Sequence, residues 1–214
     1  MDPLGLLTAL VLVAIGVRVS TGTRIAFSNA GRDRIREITS GLRVRHVLRA
    51  LPALLVVGTA VVLLASLPVL SWGWWTALGG IGNPVTGATE RTEGSALEWM
   101  IPLVFVVMLV PALPLFAEAE ERVFRLGAET RTKRQRMAKN VQFGLAHAIV
   151  GIPIGAALGL SFGGWYFTWA YLRRWQETEN PREAMLESTR SHLGYNIVAL
   201  TLIVVILAIA AVSG

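Results

Sequence analysis

The sequence has 214 residues, of which 53% are hydrophobic and 16% are charged, and its mean hydropathy is +0.55. Soluble domains carry about 25% charged residues, so this composition indicates a lipid environment. The chain has no cysteine, which excludes disulfides, cysteine-based zinc sites and thiol nucleophiles. A net charge of +6 is common in nucleic-acid-binding proteins, but the positions of the cations argue for a membrane surface and against nucleic acid.

The chain begins with an apolar run, residues 4–17, that is short for a membrane span. A secretory signal peptide has a basic start and a small-residue cleavage site. Here Asp2 lies at the start, and Arg18 and Arg24 follow the run. We therefore expect a retained membrane anchor at this position.

Three later segments have the roughly 20 apolar residues that a helix needs to cross a bilayer. They lie at about 51–70, 99–117 and 193–212. Residues 140–172 form one further apolar stretch, too long for one crossing and short for two, which Gly163-Gly164 interrupts near its middle. We expect two short crossings there, or one crossing and a re-entrant segment.

Lysine and arginine are confined almost entirely to three of the connections between these segments. Residues 18–49, 122–139 and 173–190 hold 19 of the 20, and only Arg91 lies elsewhere. Because cytoplasmic loops are enriched in Lys and Arg, this bias predicts six crossings with both termini outside. The expected fold is all-α, a polytopic transmembrane helical bundle forming one domain over residues 1–214.

Acidic residues cluster at the end of the third long span. Glu118 can pair with Arg122, and Glu121 with Arg125, because residues four apart are neighbours on a helix. Glu120 has no such partner, and its helical column is otherwise apolar. We expect Glu120 to be buried in the bundle as a general base. The alternative is that all these carboxylates are interfacial charges that end a span.

His147 lies two turns inside the apolar stretch that begins at Asn140. Glycines follow it at intervals of four residues, at positions 151, 155, 159 and 163. Small residues at this spacing let another helix approach closely, so His147 is expected to point at a neighbouring helix. The alternative is a buried histidine that binds a backbone carbonyl, beside glycines that serve packing alone.

His192 and Asn196 open the last span and share one helix face. Read alone, they could equally be a polar helix start near the interface. In the topology given by the charges, however, Glu120, His147 and His192 all fall at the cytoplasmic end of the bundle, at similar depth. Ionisable groups at membrane depth indicate function. His46, which lies among arginines in a basic loop, is given no role.

These residues also form an ordered set of motifs within about residues 99–212. EERVFR, beginning at Glu120, fits E-E-x-x-x-R; FGLAH, from Phe143 to His147, fits F-x-x-x-H; HLGYN, from His192 to Asn196, fits H-x-x-x-N. The set resembles the CPBP family of CAAX proteases and bacteriocin-processing enzymes, which includes the type II CAAX prenyl endopeptidases.

The resemblance implies a glutamate-dependent intramembrane endopeptidase that needs no metal or other cofactor. Glu120 and His147 would activate water, and His192 and Asn196 would bind the developing oxyanion. Glu121, Arg125 and Phe143 would support the site. The substrate would be a peptide or membrane protein, cleaved near the cytoplasmic face of a prokaryotic cell membrane.

Other functions are compatible with the same residues. Glu120, His147 and His192 could hold zinc with one open position, although no H-E-x-x-H is present. A non-proteolytic scaffold or accessory protein could keep the motifs for packing or partner binding. A serine protease lacks a serine placed with a histidine, and a transporter lacks the repeated broken helices.

Overall fold

The computed structural model describes residues 3–83, 88–89 and 92–213, and in these residues the fold is all-α apart from one short hairpin. The helices are α1 (Pro3–Ala26), α2 (Asn29–Ser40), α3 (Val44–Ala65), α4 (Trp74–Ala77), α5 (Leu97–Phe124), α6 (Lys133–Ala146), α7 (Ile154–Thr178) and α8 (Pro181–Ser213). Single 3₁₀ turns occupy Ala128–Thr130 and His147–Val150. The hairpin pairs β1 (Gly82–Asn83) antiparallel with β2 (Ala88–Thr89). Arg91, expected on the external side, lies outside the described residues.

Within the described residues, three stretches are long and apolar enough to cross a membrane: Leu4–Ala26, Val44–Ala65 and Met100–Thr130. The prediction of a short anchor over residues 4–17 is corrected by the first of these stretches, because α1 continues through Arg18 to Ala26. The long side chain of Arg18 makes this possible, since its guanidinium lies 5.4 Å from the centre of the Phe116 ring.

The apolar stretch 140–172 does not break at Gly163-Gly164, where α7 is continuous. It breaks between the 3₁₀ turn and α7, where Gly151 has a φ of +83° and Pro153 precedes the first helical residue. A positive φ suits glycine, and proline has no N–H to donate. The result is an α6–α7 hairpin.

The turn of this hairpin binds the chain that follows α3. The Ile154 amide donates to the Trp72 carbonyl and the Gly155 amide donates to the Leu70 carbonyl, each at 2.8 Å. Lys133, the first residue of α6, begins the hairpin near the end of α5. The turn therefore lies where α3 ends, and the hairpin runs along the bundle.

Close packing of α7 on α3 explains the glycine pattern. An added Cβ at Gly155 would lie 2.3 Å from the Leu64 carbonyl oxygen, and one at Gly159 would lie 2.6 Å from the Val61 amide nitrogen. The expectation that small residues admit another backbone is confirmed. His147, however, is not part of that column, because the turn at Gly151 separates it from α7.

His46, which was expected in a basic loop and given no role, proves to be buried at the start of α3. Its side chain is fully inaccessible; Nδ1 accepts a hydrogen bond from the Arg43 amide at 2.9 Å, and Nε2 lies 3.2 Å from a Glu187 oxygen. Because Glu187 belongs to α8, this contact connects the start of α3 to α8. His46 therefore has a structural role that its sequence neighbours did not indicate.

Candidate active site

Three carboxylates near the end of α5 point in three directions. Glu118 faces α2, where Arg34 donates two hydrogen bonds to it at 2.8 and 2.5 Å, and Arg122 donates a third at 3.0 Å. Glu121 faces the interior and is inaccessible, whereas the Glu120 side chain is 37% exposed. The expectation of a deeply buried Glu120 is therefore wrong, since the fully buried carboxylate is its neighbour.

Glu121 is bound from several sides by charged and polar groups. His192 Nδ1 lies 2.9 Å from its Oε1, and Arg125 Nη1 lies 3.6 Å from the same oxygen. Its Oε2 is within hydrogen-bonding distance of the Ser188 hydroxyl, which also lies 2.9 Å from the Phe167 carbonyl oxygen. A carboxylate can only accept a hydrogen bond, so Nδ1 of His192 carries a proton and donates it to Glu121. Nε2 lies on the opposite side of the ring and faces away from Glu121.

Aromatic rings fix the positions of His192 and Arg125. The Phe167 ring stacks on the His192 ring at 4.1 Å with an interplanar angle of 19°. The Arg125 guanidinium lies 4.2 Å from the centre of the Phe143 ring, an arrangement in which the ring face attracts the cation. Phe143 also contacts both His147 and His192 edge to face, at 4.9 and 5.7 Å. The two histidines therefore share one aromatic support.

His147 is the first residue of the 3₁₀ turn after α6, and its Nδ1 lies 2.8 Å from the Phe143 carbonyl oxygen. A carbonyl only accepts, so Nδ1 carries the proton. Nε2 of the neutral ring is then an acceptor. The carbonyl contact that a packing role predicts is thus present, and it also leaves a basic nitrogen available.

One cavity of about 510 Å³ brings the four predicted catalytic residues together. Glu120 from α5, His147 from the 3₁₀ turn, and His192 and Asn196 from α8 all line it. Its other lining side chains are apolar except for Arg18 of α1. The three motifs, which are spread over residues 120–196, therefore meet at a single apolar cavity.

Within the cavity, Glu120 is the unpaired carboxylate. Its Oε2 is inaccessible and has no hydrogen-bond partner among the described residues. Among the described residues, the ionisable group within 4 Å of this oxygen is the His192 imidazole, whose Nε2 lies at 3.8 Å, beyond direct hydrogen-bonding distance. The side chain of Asn196, which is half-buried one turn further along α8, also makes no hydrogen bond with the described part of the chain. A carboxylate, two ring nitrogens and an amide are thus free to bind a polar ligand.

A metal site is not formed by these side chains. Among the residues that the structure describes, no group of three or more His, Asp or Glu is close enough together to hold a metal ion. Glu121 and Arg125, which the sequence assigned to an ion pair, do form one at 3.6 Å, and both are fully buried.

The sequence interpretation missed three residues at the site. Ser188 precedes His192 by one helical turn and could have been found from that spacing, because residues four apart share a face. Phe167 lies in an unmarked apolar stretch, and nothing in its neighbourhood signals the stacking on His192. Arg18 was read as the residue that ends the first span, although it reaches the cavity.

Comparison of the chain with protein-family models, with curated proteins and with solved structures finds no match.

Proposed function

We propose that the protein is a metal-independent intramembrane endopeptidase whose active site is the cavity lined by Glu120, His147, His192 and Asn196. The observation that carries the proposal is the position of His192 between two glutamates, Glu121 at one ring nitrogen and Glu120 near the other. Glu121 holds Nδ1 at 2.9 Å, while Nε2 points towards Glu120, whose own oxygen is unpaired. Peptide hydrolysis needs both a free base and a fixed donor, and this arrangement supplies them.

In the proposed reaction, Glu120 accepts a proton from a water molecule, and the His147 Nε2 acceptor orients that water. The water oxygen attacks the scissile carbonyl carbon, and the π electrons of the C=O bond move to the carbonyl oxygen, which becomes the oxyanion. Glu120 then transfers the proton to the leaving nitrogen as the C–N bond breaks. General acid–base catalysis of this kind commonly contributes about 10²–10⁴ in rate.

The oxyanion would be bound by His192 Nε2 and the Asn196 side-chain amide. A donor at Nε2 requires a second proton on the ring, and the Glu121 carboxylate at Nδ1 is the counter-ion for that cation. Glu121 is held in turn by Arg125 and Ser188. Loss of one oxyanion donor commonly lowers kcat by about 10²–10³.

The proposal includes a topology of six crossings: α1, α3, α5, α6 with its 3₁₀ turn, α7 and α8. The α6–α7 hairpin supports it, because its turn binds the chain after α3. Lysines and arginines of the three basic connections lie in or beside α2, the start of α6 and the α7–α8 link, which favours a cytoplasmic position for that end. The substrate would be a peptide or membrane protein of a prokaryotic cell.

The experiment compares purified wild-type protein with Glu120→Gln and Glu118→Gln, each incubated with cell membranes and with a peptide library. Mass spectrometry records new peptide termini. Glu118 is the matched control, because it lies half a turn away and faces α2 instead of the cavity. We expect new termini with the wild type and Glu118→Gln and none with Glu120→Gln.

Treatment of the protein with a chelator distinguishes the metal-independent mechanism from the zinc-protease alternative. Cleavage should persist after dialysis against a strong chelator, whereas activity that is lost and then restored by zinc would favour a zinc protease. If the wild type generates no new termini, proteolysis is not the function, and a scaffold role replaces it; cleavage by Glu120→Gln at the wild-type sites would mean instead that Glu120 is not the base.

A further inference from the structure

A small polar pocket, distinct from the catalytic cavity, lies between the beginning of α3, the end of α7 and the beginning of α8. We call it the head pocket. Four arginines line it, two from α3 and two from α7: Arg45, Arg49, Arg173 and Arg174. Only two carboxylates, Glu177 and Glu187, accompany them. The head pocket therefore has an excess of positive charge.

The ion pairs of the head pocket leave one cation without a carboxylate. Arg45 lies 3.2 Å from Glu187, and Arg173 and Arg174 lie 3.4 and 3.3 Å from Glu177. Arg174 also lies 3.2 Å from Glu183, outside the pocket, so three carboxylates face four arginines. Within the described chain, Arg49 has no carboxylate within ion-pair distance; its guanidinium lies 6.0 Å from the centre of a Trp169 ring. Arg173 approaches Trp169 as well, at 5.5 Å.

An apolar groove of about 460 Å³ adjoins the head pocket and shares Arg49 and Trp169 with it. We call it the tail groove. It runs between α3 and α7, and apart from Arg49 and the Tyr166 hydroxyl its lining is apolar: Pro52, Ala53, Val56, Phe162, Trp165 and Trp169. Trp165 and Trp169 are 43% and 46% exposed, so they are large aromatic side chains without a complete protein cover.

The order of the two sites along the helices matches the order of the parts of a phospholipid. Arg45 and Arg49 lie in the first two turns of α3, and Arg173 and Arg174 lie near the end of α7. The tail groove follows towards the middle of both helices. Indole rings prefer the membrane interface, and basic side chains near it attract anionic headgroups.

We propose that the head pocket and the tail groove together bind one anionic phospholipid. Its phosphate accepts hydrogen bonds from Arg49 and the neighbouring arginines, and one acyl chain lies along Ala53, Val56 and Trp165. The unpaired Arg49 selects an anionic headgroup over a zwitterionic one, because a zwitterionic lipid brings its own cation. The joined apolar groove selects a lipid over a free phosphate.

The test measures binding to purified protein in a neutral detergent, by native mass spectrometry and by the midpoint of thermal unfolding. The probes are dioleoyl phosphatidylglycerol, dioleoyl phosphatidylcholine and sn-glycerol 3-phosphate. We expect phosphatidylglycerol to bind and to raise the midpoint, and the other two to have little effect. Equal binding of the two lipids would overturn the proposal; equal stabilisation by glycerol phosphate would mean an anion site without a lipid.

Variants assign the effect to this site. Arg49→Gln should weaken phosphatidylglycerol binding by about tenfold, since it removes charge-assisted hydrogen bonds, and Arg49→Lys should retain part of it. Arg36→Gln is the matched control, because Arg36 is exposed on α2, outside both sites, and pairs with the exposed Asp33. Equal binding by Arg49→Gln and Arg36→Gln would refute the assignment.

A second variant leaves every charge in place. Val56 lines the tail groove and is 53% exposed, so a tryptophan at this position should fill the groove without entering the core. Val56→Trp should therefore weaken the binding of phosphatidylglycerol and leave the weak binding of glycerol phosphate unchanged. Unchanged lipid binding in Val56→Trp would refute the acyl-chain position. None of these measurements depends on proteolysis.

Discussion

Replacing Glu121 with glutamine should destabilise the protein strongly, although the change preserves side-chain size. Glu121 and Arg125 are both fully inaccessible, and their charged atoms are 3.6 Å apart. At an effective dielectric constant of 20, Coulomb's law gives about 4–5 kcal/mol for this separation. Removing one partner of a buried pair commonly costs about 3–5 kcal/mol, because the other charge is left without compensation. We therefore expect a loss of about 3–5 kcal/mol.

The same reasoning predicts strong coupling between the two positions. Arg125→Met removes the cation but keeps an apolar side chain against Phe143, and alone it leaves Glu121 uncompensated. The double variant Glu121→Gln/Arg125→Met has no buried charge, so it should cost little more than either single change. Glu120→Gln should differ from all three, because Glu120 is 37% exposed and has no hydrogen bond to lose. Its stability should stay within about 0.5 kcal/mol of the wild type.

The assay is reversible unfolding in mixed micelles, with the wild type and the four variants measured under one condition, and cleavage measured in parallel on any substrate identified. Glu121→Gln should lose stability and activity together, whereas Glu120→Gln should lose only activity. Additive effects of Glu121→Gln and Arg125→Met would show that the buried pair is not an energetic unit. Normal proteolysis by Glu120→Gln, with a stable but inactive Glu121→Gln, would make Glu120 the wrong base.

Three further predictions concern the bundle around the site. Gly159→Ala should destabilise the protein by about 1–3 kcal/mol, because its Cβ would lie 2.6 Å from the Val61 amide nitrogen, while Gly58→Ala, which has open space, should not; equal midpoints of thermal unfolding would contradict this. The His46 imidazole, 3.2 Å away, and nearby arginines lower the pKa of Glu187 to about 2, so its stabilising contribution should be complete above about pH 4.5 and be lost as the pH falls towards 2. Unfolding at pH 6 and pH 3 should therefore depend less on pH in Glu187→Gln than in the wild type, and identical pH dependence would contradict the contact. Cysteines introduced at positions 30, 130 and 180 should react with impermeant thiol reagents only from the cytoplasmic side; external labelling at position 180 would exclude two crossings within 140–172.

Local spacing predicted the parts of the site that depend on one helix. The Glu121–Arg125 pair and the common face of His192 and Asn196 both follow from the four-residue repeat of a helix, and both are present. The all-α fold likewise follows from long apolar segments. These features need no knowledge of what packs against the helix.

Features that depend on other helices were predicted less well. The Gly163-Gly164 pair has a low helix propensity, yet α7 continues through it, since Gly163 faces Val57 of α3 and Gly164 faces Asn140 of α6 with no room for a Cβ at the latter. Arg18 resembles the end of a span, but Phe116 of α5 receives its guanidinium. In each case the deciding contact comes from a segment distant in sequence.

Glu120 and Glu121 are adjacent on α5 but have different surroundings, which explains how one helix can supply both the proposed base and the carboxylate that holds His192. Consecutive residues on an α-helix point about 100° apart, so the two carboxylates must face different surroundings. Glu121 faces Arg125, Ser188 and His192, which use its oxygens fully, and Glu120 faces the cavity, where its oxygen has no partner. His192 contacts both, at 2.9 Å through Nδ1 and 3.8 Å through Nε2. A reactive carboxylate must stay unpaired and its histidine must stay fixed. Adjacent positions on α5 satisfy both requirements because Ser188 and His192 of α8 form hydrogen bonds with Glu121 and none with Glu120.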